Sequence, residues 1–340
     1  SQSPGVIGHL SGRRNQLILG GPLRRPQRRT PSTAAGSPVR SPTNCLTTVP
    51  AVLTAEQREQ WDEDGFVILR RLLDPSLVKA QLDRAVELCR LEAAGERMPK
   101  GSFIAPEKNS WPGATDPEDF VSKVFLLHHW DPVFGPVSRD PRILAAVADL
   151  LGADLDCFLS QFIFKNPGAI GQPWHQDSFY FPFEPDHQVG VWIAVTAATA
   201  DNGPLWVLPG SHREAVHDHV PDTRASANFG YVEIVDHDMD GEVCVLMEPG
   251  DVLVFDSHLM HRSVDNGSDT LRAAMVYHYG VAGTIDNTGE VLSVAGDALG
   301  DIPEDAVDRI EAAKSDGYYL WTPVLRTGEP AFPEALRSGA

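Results

Sequence analysis

The sequence predicts a mainly β protein with flanking helices, a double-sheet jelly-roll barrel buttressed by helices that come first in the chain. Helix-start signals fall before residue 154. From Asp154 onward the texture changes to short apolar or alternating runs, the pattern of strands that bury one face. Tight-turn dipeptides separate those runs: Asn202-Gly203, Asp240-Gly241, Pro249-Gly250 and Asn266-Gly267.

Folded structure is expected to begin near Leu53. Thr54 with Gln57 three residues later forms a capping box before a short helix that Gly65 ends. Phe66–Leu69 reads as a strand. Asp74-Pro75 supplies an N-cap with proline at the first helical position, and that helix runs to about Ala94. Asp140-Pro141 repeats the signal ahead of Ile143–Leu151, which Gly152 stops. Strands are then expected over Leu155–Phe164, Trp174–Phe181, Val189–Ala197, Leu205–Leu208, Val243–Met247, Val252–Phe255 and Leu271–Tyr279. Ile302–Lys314 suggests a late helix. The expected organisation is a basic, disordered extension over 1–50 and one domain over 51–340, with a helical buttress (51–153), a β core (154–282) and a C-terminal helix and tail (283–340).

An apolar content of 42% in 340 residues suits a protein with a real core. Residues 1–50 hold seven arginines and no acidic residue, so the remaining residues carry 21 basic against 47 acidic side chains, a balance of −26. A body this acidic repels phosphate backbones, which argues against a nucleic-acid partner. No apolar run approaches the length of a membrane span. The four cysteines are scattered without a CxxC pair, which fits a reducing, cytoplasmic setting. The arginine-rich arm leaves organellar import as the alternative.

The chemistry centres on Trp174-His175-Gln176-Asp177. On a strand, positions two apart share a face, so His175 and Asp177 can point at one metal. An isolated His-x-Asp is weak evidence, and a third ligand must come from elsewhere. His261 and His258 both follow the strand Val252–Phe255, facing opposite sides of an extended chain. Arg272, across the Asn266-Gly267 turn, would be returned by a hairpin to the metal and could take a carboxylate bidentately. Ser263 shares the face of His261 and adds a hydroxyl. Two histidines and one carboxylate leave coordination positions open, the pattern of iron(II) oxygenases. The other histidines, His128, His129, His212, His217, His219, His237 and His278, show no partner at ligand spacing.

The segments Pro173–Asp177, Tyr180–Phe183, Asn202–His212 and His261–Ser263 resemble, in order and spacing, the phytanoyl-CoA dioxygenase family, and the likeness covers roughly Leu53–Gly280. That resemblance implies a double-stranded β-helix of the cupin-like type, iron(II), and 2-oxoglutarate and O2 as cosubstrates, with ascorbate stimulating turnover. It implies His175, Asp177 and His261 as metal ligands, favouring His261 over His258, and Arg272 as the grip on 2-oxoglutarate. Lys123, Gln161 and Trp192 would line the cosubstrate site, and Phe179, Tyr180, Phe181 and Phe183 a substrate pocket. The expected reaction is hydroxylation of an aliphatic C–H in a small molecule. Alternatives are 2-hydroxylation of an acyl-CoA, desaturation or ring formation on the same site, an inactive barrel used as a binding module, and a zinc hydrolase. The sequence is silent on oligomeric state.

Overall fold

The computed structural model describes residues 53–98, 102–109, 111–228, 230–286 and 322–325. The expected basic extension and the expected helix Ile302–Lys314 lie outside them.

The helices begin and end on the signals their sequence carries. In α1 (Ala55–Asp64) the Gln57 amide donates to Thr54 Oγ1 and the Thr54 amide to Gln57 Oε1, and Gly65 closes the helix in the left-handed region at φ 80°. Strand β1 (Phe66–Leu69) follows, then α2 (Pro75–Ala93), where Asp74 occupies the N-cap without making a side-chain cap bond. After β2 (Ile104–Pro106) and β3 (Val121–Phe125) come α3 (Phe134–Ser138) and α4 (Pro141–Leu151), which starts at its proline with Asp140 accepting from the Arg142 amide.

The remaining chain is β4 (Leu155–Lys165), a helical turn α5 (Asp177–Tyr180), β5 (Phe183–Glu184), β6 (Gln188–Ala194), β7 (Leu205–Val207), β8 (His219–Pro221), β9 (Val232–Ile234), β10 (Val243–Val245), β11 (Val252–Asp256), β12 (His261–Ser263), β13 (Arg272–Val281), β14 (Ile285–Asp286) and β15 (Thr322–Leu325). An eight-stranded antiparallel sheet runs β1-β11-β6-β13-β4-β3-β2, with β15 also paired to β4. A three-stranded sheet, β10-β7-β12, forms the second layer. This is a jelly-roll, as expected.

Strand β13 shows how the layers are specified. Ala273, Met275, Tyr277 and Tyr279 point to the helices, where the Tyr277 and Tyr279 hydroxyls donate to the Phe134 and Ser138 carbonyls at 2.9 Å. The alternate residues, Arg272, Ala274, Val276 and His278, face the barrel interior. Direct cross-strand neighbours share a face, so the register Arg272↔Lys165, Ala274↔Ile163, Val276↔Gln161, Lys123↔Ile163 and Val276↔Trp192 puts Lys165, Gln161, Lys123 and Trp192 on that interior face too. The apolar part of this face packs against Val207 and Val245 of the second sheet. Polar side chains are left at one end of the barrel.

Two local expectations are corrected. Trp174–Phe181 is no strand: His175 makes a single antiparallel bridge to His261, and the backbone then turns into α5. Nor do His261 and Arg272 face each other across a hairpin. β12 pairs with β7, while β13 pairs with β4 and β6, so the segment around Asn266 carries the chain from one sheet to the other. Lys123, which could equally have been a solvated helix charge, sits on β3.

Candidate metal centre

His175, Asp177 and His261 are buried, and each offers one ligand atom within 4.8 Å of the other two. Asp177 Oδ1 lies 3.7 Å from His175 Nε2 and 3.8 Å from His261 Nε2. Backbone pairing sets this spacing: the His175 amide donates to the His261 carbonyl and the His261 amide to the His175 carbonyl, both at 3.0 Å. The turn into α5 then folds Asp177 back over the pair. Convergence comes from the bridge and the turn, not from strand alternation.

The rings are oriented through their other nitrogens. His175 Nδ1 donates to the Pro173 carbonyl at 2.8 Å and His261 Nδ1 to the Leu259 carbonyl at 2.9 Å, which leaves the Nε2 atom of each ring unprotonated and able to act as a ligand. Burial, with His261 adjacent, pushes His175 well below its ordinary pKa and keeps it in the neutral form a metal requires. Two neutral imidazoles and one carboxylate are the donor set of a non-haem iron site, and the residues fit that ion.

Gln176, fully buried between two of these residues, staples the segment. Its Nε2 donates to the His258 and Ala215 carbonyls, its Oε1 accepts from the His217 amide at 2.8 Å, and its own amide donates to His219 Nε2 at 3.0 Å. His258 is turned away, with Nε2 2.7 Å from Asp186 and Nδ1 donating to the Glu214 carbonyl.

Beside the triad lie three cations. Arg272 is 2% exposed and Lys165 4%, while Lys123 is half-buried. Arg272 Nε donates to the Gly203 carbonyl at 3.0 Å, and its guanidinium lies over the Trp192 ring at 5.7 Å. Lys165 Nζ donates to Ser263 Oγ and the Val264 carbonyl, and Lys123 Nζ to Gln172 Oε1. Among the described residues none of the three is paired with a carboxylate. Burial lowers Arg272 to about 10 and Lys123 to about 8, and drives Lys165 well below its ordinary value. Uncompensated buried charge of this kind is costly unless an anion completes it, and the residues fit a dicarboxylate.

Gln172 links the cations to the triad. Its Nε2 donates to His175 Nε2 at 3.0 Å, its Oε1 accepts from Lys123, and its amide donates to Ser263 Oγ at 3.1 Å. The neighbouring Gly171 has no room for a side chain, since a Cβ there would overlap the Ser263 carbonyl oxygen. Gly171→Ala is expected to pry this segment from β12, lowering stability by about 1–3 kcal/mol. The midpoint of a urea transition measures the effect.

The aromatic residues divide. Phe181 and Phe183 pack around Phe158, and Phe181 lies 5.1 Å from the His278 ring. Tyr180 donates to the Gly230 carbonyl and sits edge-on to His175. Phe179 instead stacks on His219 at 4.2 Å. Gln161 and Trp192 share the interior face, and the buried indole nitrogen of Trp192 has no hydrogen-bond partner among the described residues.

Three site residues escaped the sequence reading. Lys165 was visible as the third member of the alternation Gln161-Ile163-Lys165. His278 lies an even six residues past Arg272 on one strand, and its Nδ1 is 3.7 Å from Asp177 Oδ2, which corrects the expectation that it had no partner. Gln172 carries no comparable signal.

The family model described as phytanoyl-CoA dioxygenase matches residues 61–274. A probable phytanoyl-CoA dioxygenase of Caenorhabditis elegans is 30% identical over 67% of this chain and 76% of its own length. The peroxisomal phytanoyl-CoA dioxygenase of Bos taurus is 28% identical over 76% of each. In fold the chain is similar to the epimerase SnoN, solved with Fe3+, α-ketoglutarate and nogalamycin RO, with a TM-score of 0.53 at 20% identity over 73% of this chain and 90% of that one. The extent of the family match and the identity to these relatives place the chain in the phytanoyl-CoA dioxygenase family of non-haem iron, 2-oxoglutarate-dependent oxidoreductases.

Proposed function

We propose that this chain hydroxylates an aliphatic C–H of a small organic molecule, with succinate and carbon dioxide as coproducts. The observation that carries the reading is a buried His-Asp-His set adjoining three cations, two buried and one half-buried, that lack a carboxylate partner among the described residues. His175, Asp177 and His261 would hold iron(II), which with 2-oxoglutarate and O2 supplies the C–H oxidation when bound. Arg272 grips the distal carboxylate of the cosubstrate, because Gly203 fixes its Nε edge and Trp192 supports its plane. Lys165 and Ser263 add donors, and Lys123 adds charge. Gln161 and Trp192 line this chamber, while Tyr180, Phe181 and Phe183 wall the substrate side and exclude water. Phe179 buttresses the ligand segment from behind through His219.

A neutral or cationic substrate fits the charge distribution better than an acyl-CoA. A CoA thioester needs a basic patch for its phosphates, yet Arg224 is paired with Asp222 at 2.6 Å and Arg213 donates to the Asp62 and Glu63 carbonyls. Succinate release is expected to rise with an uncharged aliphatic substrate and to stay near background with a branched acyl-CoA. Selective stimulation by the thioester would transfer the assignment to the acyl-CoA reading, which the names of the relatives favour.

Lys123 gives the site a pH dependence. Its ammonium, with pKa lowered to about 8 by burial, attracts the cosubstrate when protonated and loses that charge above this value. The kcat/KM for 2-oxoglutarate, which reports the free enzyme, is expected to fall as pH rises through about 8, and the fall should vanish in Lys123→Ala. Cytoplasmic residence belongs to the same reading. Removal of residues 1–50, which precede the α1 capping box, is expected to leave melting temperature and turnover unchanged.

A further inference from the structure

A second convergence of ligating side chains lies on the far side of Gln176. Glu214, His217 and His237 each offer one ligand atom within 4.8 Å of the other two. They come from two loops, one between the Ser211–Arg213 turn and β8, the other between β9 and β10. Glu214 Oε2 is 2.9 Å from His217 Nε2 and 3.2 Å from His237 Nε2, and the two rings stand at 89° with centroids 5.1 Å apart. Asp236 Oδ1 lies 3.4 Å from the other nitrogen of His217. Both histidine side chains are 20% exposed and Glu214 42%.

Hydrogen bonding accounts for this cluster incompletely. One carboxylate oxygen serves two ring nitrogens, each of which must then carry its proton on Nε2. For His217 the neutral tautomer of that kind turns the Nδ1 lone pair toward the Asp236 carboxylate, whose Oδ1 is 3.4 Å away. A metal ion bound by both Nε2 atoms relieves the conflict, because it needs no proton between the ligands and moves the His217 proton to Nδ1, where Asp236 can accept it. The donor set suits zinc(II), which binds imidazole nitrogen and carboxylate oxygen at about 2.0–2.2 Å; in a tetrahedral site that places ligand atoms about 3.3–3.6 Å apart. The 2.9 and 3.2 Å separations here are shorter than that spacing by a few tenths of an ångström, which small side-chain shifts supply.

We propose that Glu214, His217 and His237 form a second divalent-metal site, suited to zinc(II), with Asp236 orienting His217 from the opposite edge of its ring. Its role is structural. His217 is tied through its amide to Gln176 Oε1, and Gln176 sits between His175 and Asp177. A metal joining the two loops therefore braces the segment that carries the triad. This site was missed in the sequence because its residues belong to different loops, and His217 and His237 lack a common short-range pattern.

The test isolates this site by removing the other. In the full chain carrying His175→Ala and His261→Ala, stripped of metal, calorimetric titration with zinc chloride should show one molar equivalent bound. Cobalt(II) substitution should give the strong visible absorption of a four-coordinate ion. His237→Gln in the same background, which preserves side-chain size, should weaken zinc binding by roughly tenfold or more. His217→Ala with His237→Ala should abolish it. Failure of the parent variant to bind zinc, or equal binding by His237→Gln, overturns the proposal. Neither outcome bears on the iron reading, since both histidine ligands of the triad are missing from every protein in the series.

Discussion

His261→Ala is expected to abolish iron-dependent succinate formation, while His258→Ala retains most of it. The two histidines lie three residues apart, but the structure gives them opposite surroundings. His261 is bridged to His175, its Nδ1 is held by Leu259, and its Nε2 faces Asp177. His258 spends both nitrogens on Asp186 and the Glu214 carbonyl, and its hydrogen bond to Asp186 raises its pKa, the state least suited to binding a metal. Loss of His261 leaves two ligands, too few to hold the ion in place. Loss of His258 removes one contact between Asp186 and the 214–219 loop, at a modest cost in stability. Metal content of the purified variants, measured beside turnover, distinguishes a lost ligand from a distorted fold. The opposite ranking would reject the register proposed for the site.

Arg272→Ala carries the second large effect. Removal of a buried partner from a charge-assisted pair costs on the order of 2–5 kcal/mol, which at tenfold per 1.4 kcal/mol corresponds to roughly 30- to several-thousand-fold weaker 2-oxoglutarate binding. Arg272→Lys should recover little, because an ammonium cannot donate to Gly203 and grip a carboxylate in one plane. The loss should appear in the KM for 2-oxoglutarate, with iron content unchanged. A variant whose cosubstrate requirement matches the parent would remove Arg272 from the site.

Much of this arrangement was legible because its signals are local. The Thr54–Gln57 capping box, the proline starts at Pro75 and Pro141 and the Gly65 stop each act within one turn of helix, and each appears in the structure where expected. Arg272 was singled out on a hairpin that the structure does not contain, and it is the alternation along β13 that turns it inward. Where two elements of different type meet, local signals misled. Trp174–Phe181 reads as an apolar alternating run, yet Gln176 and Ser178 bond to groups from the 215–219 and 257–258 segments, and these contacts bend the chain into a turn.

The sequence by itself determined the order of helices before strands, the position of the long strands, and the identity of His175, Asp177, His261 and Arg272 as the residues to watch. Tertiary structure decided how they meet. Barrel closure, not a hairpin, brings β12 and β13 together: Lys165, paired in register with Arg272, reaches across to Ser263 at 2.9 Å. It also decided the company they keep, adding Lys165, Gln172 and His278 to the site and assigning Phe179 to His219. The physical reason is separation along the chain. Helix caps and strand alternation are satisfied by neighbours within a few residues, whereas burial of an unpaired charge depends on which distant segments exclude water from it, and no local pattern encodes that.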